Sequence, residues 1–211
     1  MGAICALLLA AGKSSRMGEL KALLPWQGRT LLEHQLEVLK QVEITQVVVV
    51  LGYQSDRLEN LVRNSGMAHV VFNPNHLKGK TTSIKAGLNR LIPSVNDILV
   101  TAVDQPRSVM TLRTIIRKHQ MEQVGITIPT YKGKGGHPVV FSNKLLPELL
   151  DISEKTLGLK AVVRKHSKDV LRMEMESSEV LLDLNNREDY DHGISELWNQ
   201  EIMYKGGSCK R

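Results

Sequence analysis

Ala3-Ile4-Cys5-Ala6-Leu7-Leu8-Leu9-Ala10-Ala11-Gly12-Lys13-Ser14-Ser15-Arg16-Met17-Gly18-Glu19-Leu20-Lys21 decides the fold of this 211-residue chain. Its first part, Ala3 to Leu9, is a continuous apolar run of the length expected for a strand buried on both faces. Its second part is a loop of small residues around Gly12 that carries Lys13, Arg16 and Lys21. Strands covered on both faces belong to parallel sheets flanked by helices, and in such open sheets ligands collect outside the carboxyl ends of the strands. The loop is therefore the first candidate for a site.

The same alternation continues along the chain. Leu31, Leu32, Leu36 and Leu39 have helical spacing and predict a helix over 30–42 behind a Thr30 cap. Val47 to Leu51 reads as a second buried strand, 54–63 as a polar helix and His69 to Phe72 as a short strand. A loop from Asn73 to Lys80 leads to a helix over 81–91. A further buried strand, Asp97 to Val103, stops abruptly at Asp104-Gln105-Pro106. Beyond it, helices near 109–119, 144–150, 157–165 and 187–201 alternate with strands near 125–130, 137–141, 170–175 and 180–184. The expected class is α/β, with three layers built on a mostly parallel twisted sheet in a single domain over 1–201, and a flexible basic tail at 202–211.

Composition narrows the function. Apolar residues make up 42% and charged residues 24%, an ordinary globular balance. Aromatics at 4% leave few platforms for stacking bases, so a nucleic-acid partner is not expected. The net charge of +6 is spread along the chain and suits small anions, although a merely solubilising surface reads equally well. Cys5 and Cys209 lie at opposite ends, without the spacing of a disulfide framework or a thiolate metal site. The stretch Ile4 to Ala11 lacks a basic leader and is too short to cross a bilayer, so no membrane association is expected and the cytoplasm is the expected compartment.

The loop offers backbone N–H groups at Gly12, a forked donor at Arg16 and a compact charge at Lys21, which together suit a polyphosphate. It is neither a Gly-Lys-Ser/Thr phosphate loop nor a GxGxxG dinucleotide turn. The plain alternative is a glycine turn with solvated cations. With Lys21-Ala22-Leu23-Leu24-Pro25, Gly28 and Leu31-Leu32 in register, the segment resembles the signature of the molybdenum cofactor nucleotidyltransferases, a branch of the Rossmann-like pyrophosphorylases, and is most similar to the cytidylyltransferase branch. The resemblance implies a Rossmann-like fold and transfer of a nucleoside monophosphate to a phosphorylated acceptor such as molybdopterin, with release of pyrophosphate. It implies that Leu9, Ala10, Ala11 and Gly12 hold the nucleotide, with Arg16 and Lys21 on its phosphates, and that Mg²⁺ assists. The Ala10-Ala11-Gly12 form of the loop implies CTP rather than GTP.

Other positions follow from the same resemblance. Val103-Asp104-Gln105-Pro106 resembles the metal-binding turn, so Asp104 joins Lys21 and Arg16 as a catalytic residue. Asn185 in Asp183-Leu184-Asn185 is the expected second metal ligand, with Asp183 as the alternative; Asn185 also reads as a helix cap. Asn73, Gly79 and Ser83 match the segment that contacts base and ribose, and Ser83 reads as well as an ordinary helix-start serine. Lys132, Lys134, Gly136 and His137 match the acceptor side, a smaller irregular segment, where a basic hairpin turn is the competing reading. Ser153 to Gly158 departs from the acidic pattern of the family. A molybdoenzyme that receives the product is an implied partner. A sugar- or polyol-phosphate nucleotidyltransferase and a non-catalytic nucleotide-binding accessory protein are the alternatives.

Overall fold

A computed structural model describes residues 2–42 and 44–195. The tail at 202–211, Cys209 and the end of the expected 187–201 helix lie outside the described residues. In chain order the elements are β1 (Ile4–Ala10), β2 (Pro25–Trp26), β3 (Arg29–Thr30), α1 (Leu31–Gln41), β4 (Gln46–Leu51), α2 (Ser55–Asn64), β5 (Ala68–Phe72) and α3 (Lys80–Leu88). They continue with β6 (Asp97–Ala102), α4 (Val109–Glu122), β7 (Ile126–Tyr131), β8 (Lys134–Gly135), β9 (Val139–Ser142), α5 (Leu146–Asp151), α6 (Leu159–Lys165) and β10 (Val170–Glu174). A last helix, α7, covers 187–195.

The main sheet has the order β10-β7-β9-β6-β1-β4-β5, with β8 paired to β7. β1 is central and fully buried, and it runs parallel to both β4 and β6, with Leu9 opposite Val50 on one side and Ala102 on the other. β9 is antiparallel to β6 and β7. Alternation along β1 splits the core in two. Ala6, Leu8 and Ala10 pack with residues of α1, α2 and α4, whereas Cys5, Leu7 and Leu9 pack with α3, α5 and α6. This gives the three-layer α/β architecture. Burial pushes the Cys5 thiol up to about 12, so it packs as a small apolar group.

The Thr30 cap forms as a reciprocal box: Thr30 Oγ1 accepts the Glu33 N–H at 3.2 Å, and Glu33 Oε2 accepts the Thr30 N–H at 2.9 Å. The strand expected at 180–184 does not form. Ser178–Leu181 is a 3₁₀ turn, and residues 182–185 continue irregularly. The carbonyls of Val180 and Leu182 are taken by the Arg107 guanidinium, and Val180 also receives the His137 N–H, so no ladder is left to them. Among the described residues no helix is long and apolar enough to cross a membrane.

Candidate functional site

Because β1 and β6 are in register, the loops that leave them start at one level. The first loop turns at Ser14 and Gly18, both with left-handed backbone, and the Met17 N–H closes it on the Ser14 carbonyl at 2.9 Å. Leu20, Ala22 and Leu24 then bury themselves in the core and pin the short 3₁₀ turn that carries Lys21. Ser14 Oγ accepts the Lys21 N–H at 3.2 Å. The Lys21 stem is buried, and its Nζ lies 2.7 Å from Asp104 Oδ2.

Asp104 is presented by an equally fixed turn. The Gln105 N–H returns to the Ala102 carbonyl at 3.0 Å, and Gln105 Oε1 accepts the Ala102 N–H at 3.2 Å. From α1, the buried Gln35 side chain donates to the carbonyls of Ala102 and Val103 at 2.9 and 3.1 Å. The 182–186 segment docks beside this turn through the Leu184 N–H on the Asp104 carbonyl, 2.9 Å. Asn185 Oδ1 accepts from Arg16 Nη2 at 3.3 Å, which closes the crevice from the first loop to the last segment. The cap of α7 is Asn186, whose Oδ1 accepts the Asp189 N–H at 2.8 Å, so the Asn185 side chain is left to the crevice. Burial, and then the Asp104 charge, raise the Asp183 carboxyl above its ordinary range.

Two groups the sequence did not suggest organise this region. Arg107, 2% exposed, donates from Nε to the His137 carbonyl at 2.8 Å, from Nη1 to Pro106 at 2.6 Å, and from Nη2 to Val180 and Leu182 at 3.0 and 2.9 Å. Burial lowers its pKa to about 10, against the opposing pull of Glu179, Asp183 and Asp104. Glu179 is itself buried and accepts from the Ser108 N–H, from Ser108 Oγ at 3.0 Å and from Thr111 Oγ1 at 2.6 Å. A buried guanidinium thus ties together the turn after Asp104, the approach to β9 and the 180–182 carbonyls. A single Arg after Gln-Pro carries no such signal, because two of its four partners are backbone carbonyls more than seventy residues away.

Burial, followed by the charges of Lys80 and Arg107, lowers the His137 pKa to about 4, so its ring is neutral near pH 7. Gly136 packs against the Val180 carbonyl, which a Cβ there would strike. Lys132 and Lys134 sit on the exposed β7–β8 hairpin, with the Lys132 ammonium 5.2 Å from the Tyr131 ring centre and the Lys132 N–H on Glu174 at 2.5 Å. The ring contact keeps the Lys132 ammonium on its own hairpin, and the Glu174 bond ties the hairpin backbone to the end of β10.

On the other flank, Asn73 is buried, and its amide donates to Thr82 Oγ1 and Ser83 Oγ, both at 2.9 Å, which fastens the β5 loop to the first turn of α3. Gly79 has φ 115°, open to glycine, and the Glu154 carboxylate lies where its Cβ would be. Ala11 and His76 flank Gly52 at the end of β4 so closely that a Cβ there would come within 2.9 and 2.7 Å of them. The floor of the crevice next to Ala11 is therefore formed jointly by the ends of β1, β4 and β5. Neither Gly52 nor Lys80 is among the site residues expected from the sequence.

The profile of the MobA-like NTP transferase domain matches residues 6–170. The chain is similar to the molybdenum cofactor cytidylyltransferase of Escherichia coli K12, at 28% identity over 90% of this chain and 95% of that protein. It is also similar to the nicotine blue oxidoreductase of Paenarthrobacter nicotinovorans, at 30% identity over 77% of this chain and 82% of that one. Among solved structures, that of Rv0371c from Mycobacterium tuberculosis H37Rv in complex with manganese superposes with a TM-score of 0.74 at 26% identity, covering 92% of this chain and 98% of that one.

Proposed function

Since the chain belongs to the MobA-like NTP transferase domain family, we propose that it transfers a nucleoside monophosphate from CTP to the phosphate of an acceptor of the molybdopterin class and releases pyrophosphate. The observation that carries this reading is the 2.7 Å meeting of Lys21 and Asp104 at the carboxyl edge of the sheet, one from the loop after β1 and one from the end of β6. A cation and a carboxylate so placed suit a polyphosphate and its metal.

In this mechanism an acceptor phosphate oxygen attacks the α-phosphorus in line, and pyrophosphate leaves from the opposite side. The Gly12 backbone and Arg16 hold the triphosphate, and Lys21 neutralises the charge that grows on the α-phosphoryl oxygens. No general base is required, because a phosphate monoester is already ionised at neutral pH. The neutral His137 accordingly has a positioning role, anchored through its backbone to Arg107 and Val180.

The donor set fits a hard divalent cation. Burial, and then the charge of the neighbouring Asp104, raise the Asp183 carboxyl, and the Asn185 side chain reaches the same residue through its amide nitrogen on the Asp183 carbonyl at 3.3 Å. Among the described residues no group of three or more His, Cys, Asp or Glu forms a metal site by itself. Mg²⁺ needs only one or two protein carboxylates when phosphate oxygens and water complete its shell. Asp104, with Asp183 or Asn185, would hold it, and the ion would supply charge neutralisation of the polyphosphate. Support for CTP over GTP comes from the Ala11 methyl group, buried at the floor beside Gly52 and His76, where it leaves less room for a purine. The product passes to a molybdoenzyme in this reading.

Pyrophosphate release with Mg²⁺ and a molybdopterin-type acceptor, CTP against GTP, tests the proposal; no release with either nucleotide would refute it. Activity only with a sugar or polyol phosphate would move the acceptor class. The 30% relative named as an oxidoreductase supports a second reading, a redox use of the same crevice. Redox turnover of a nicotine blue-type substrate without pyrophosphate release would favour it.

A further inference from the structure

The first turn of α4 lacks a group that the first turn of α1 has. In α1, Glu33 at the third helical position accepts the N–H of its own cap, Thr30, and so completes a local box. In α4 the cap is Ser108, whose Oγ accepts the Thr111 N–H at 3.2 Å, but the third helical position is Thr111 and no acidic residue lies in that turn. The missing acceptor comes from 71 residues further along the chain. Glu179 accepts the Ser108 N–H on Oε1, and on Oε2 it accepts from Ser108 Oγ at 3.0 Å and from Thr111 Oγ1 at 2.6 Å. A carboxylate only 3% exposed is costly to bury, and these three donors, at the positive end of the helix, offset that cost.

A carboxylate in the first turn of α4 itself would serve the helix as well, as Glu33 serves α1. What the remote carboxylate adds is a tether between two segments. Ser108 lies four residues after Asp104, and Glu179 lies four residues before Asp183. A second tie closes the other end, where the Leu184 N–H reaches the Asp104 carbonyl at 2.9 Å. Between the two ties, Arg107 Nη2 takes the Val180 and Leu182 carbonyls. Residues 104–108 and 179–184 are thus bracketed at both ends, and Asp104 and Asp183 belong to the bracketed stretches.

We infer that Glu179 is a positioning residue for the metal: by completing the α4 box from outside the helix, it fixes the 180–185 segment against the Asp104 turn, so that Asp104 and Asp183 or Asn185 serve one divalent ion. This rests on the transferase reading above and on its metal site. Ligands on separate segments share an ion only while the segments keep their register, and Mg²⁺ tolerates little departure from octahedral geometry.

The test uses Mn²⁺ as the probe, titrated calorimetrically into each protein with and without CTP, beside urea unfolding and amide hydrogen exchange. Glu179→Ala removes the tether and the remote cap together. Glu179→Ala combined with Thr111→Glu returns a carboxylate to the first turn of α4, so the cap becomes local while the tether stays broken. The double variant also keeps the test open if Glu179→Ala alone does not fold. Its urea midpoint is expected to recover toward that of the unaltered protein, with α4 amides still protected. Its Mn²⁺ affinity stays lowered about tenfold or more, and its Leu184 N–H exchanges faster. Glu179→Gln, which keeps an oxygen for the Ser108 N–H, is expected to stay near the unaltered affinity. Mn²⁺ affinity that returns with stability in the double variant, or an unchanged Leu184 exchange rate, means that Glu179 serves only α4 and overturns the inference. A loss in Glu179→Gln as large as in the double variant overturns it too. All three outcomes leave the transferase reading standing. If the unaltered protein binds no Mn²⁺ in either condition, the metal reading itself fails and this inference fails with it.

Discussion

At the scale of single residues, the site depends on two cations with different work. Lys21 is held at the level of the α-phosphorus in the proposed reaction, where charge grows only as the transition state forms. Lys21→Ala is expected to lower the single-turnover rate of pyrophosphate release by roughly 10²–10³-fold and nucleotide affinity by much less. Equal losses in the two measurements would make the lysine a docking charge. Arg107 works through the backbone instead. Arg107→Met removes donors from the Pro106, His137, Val180 and Leu182 carbonyls and leaves Glu179 buried without its counter-charge. A loss of about 3–5 kcal/mol is expected in urea unfolding, and Arg107→Lys recovers only part of it because an ammonium cannot fork across separate carbonyls. A loss below about 1 kcal/mol would mean that the segments hold together without the guanidinium.

At the scale of elements, the crevice is made by turns that leave adjacent parallel strands at one level, and by the segments pinned beside them. Gly136, between β8 and β9, lies against the Val180 carbonyl, so Gly136→Ala must push the 180–182 carbonyls outward. Because the atom in the way belongs to the backbone, a rotamer change cannot relieve the contact. Asp183 and Asn185 follow directly on that segment. The expected result is a fall in pyrophosphate release of tenfold or more, together with a higher Mg²⁺ concentration for half-maximal rate. Unaltered metal dependence in a folded Gly136→Ala protein would separate the 182–186 segment from the metal. The first turn of α1 offers a comparison remote from chemistry. Thr30→Ala breaks its capping box and is expected to cost about 1 kcal/mol of stability with activity unchanged at a temperature where the protein stays folded.

At the scale of the whole molecule, burial of neutral histidines sets the response to acid. His34, on α1 near the Trp26 ring, has its pKa lowered by burial from 6.5 to about 4. Between those values the unfolded chain binds a proton that the folded chain refuses, so stability rises with pH across this window. Its contribution is fully present above about 6.5 and is lost as pH falls toward 4, amounting to at most about 3 kcal/mol. Urea midpoints at pH 7.5 and pH 5 should differ less in His34→Gln than in the unaltered protein. An equal difference in both would assign the acid sensitivity elsewhere, with the buried His137 as the next candidate.

What the sequence determined by itself was everything carried by local pattern. The apolar runs of β1, β4 and β6, the helical spacing of Leu31, Leu32, Leu36 and Leu39, and the breaks at Gly12 and Asp104-Gln105-Pro106 were enough for a three-layer α/β sheet with loops at one edge. Short-range periodicity records burial, and burial on both faces specifies a parallel sheet. Tertiary structure alone decided the rest. It set the distance from Lys21 to Asp104, passed the α7 cap to Asn186 rather than Asn185, and made the expected strand at 180–184 an irregular segment held by Arg107. It also joined Glu154 to the turn that carries Lys80. Each of these rests on side chains meeting backbone or charge across long stretches of chain, and such meetings leave no periodic trace because any exposed carbonyl or N–H can serve as the partner.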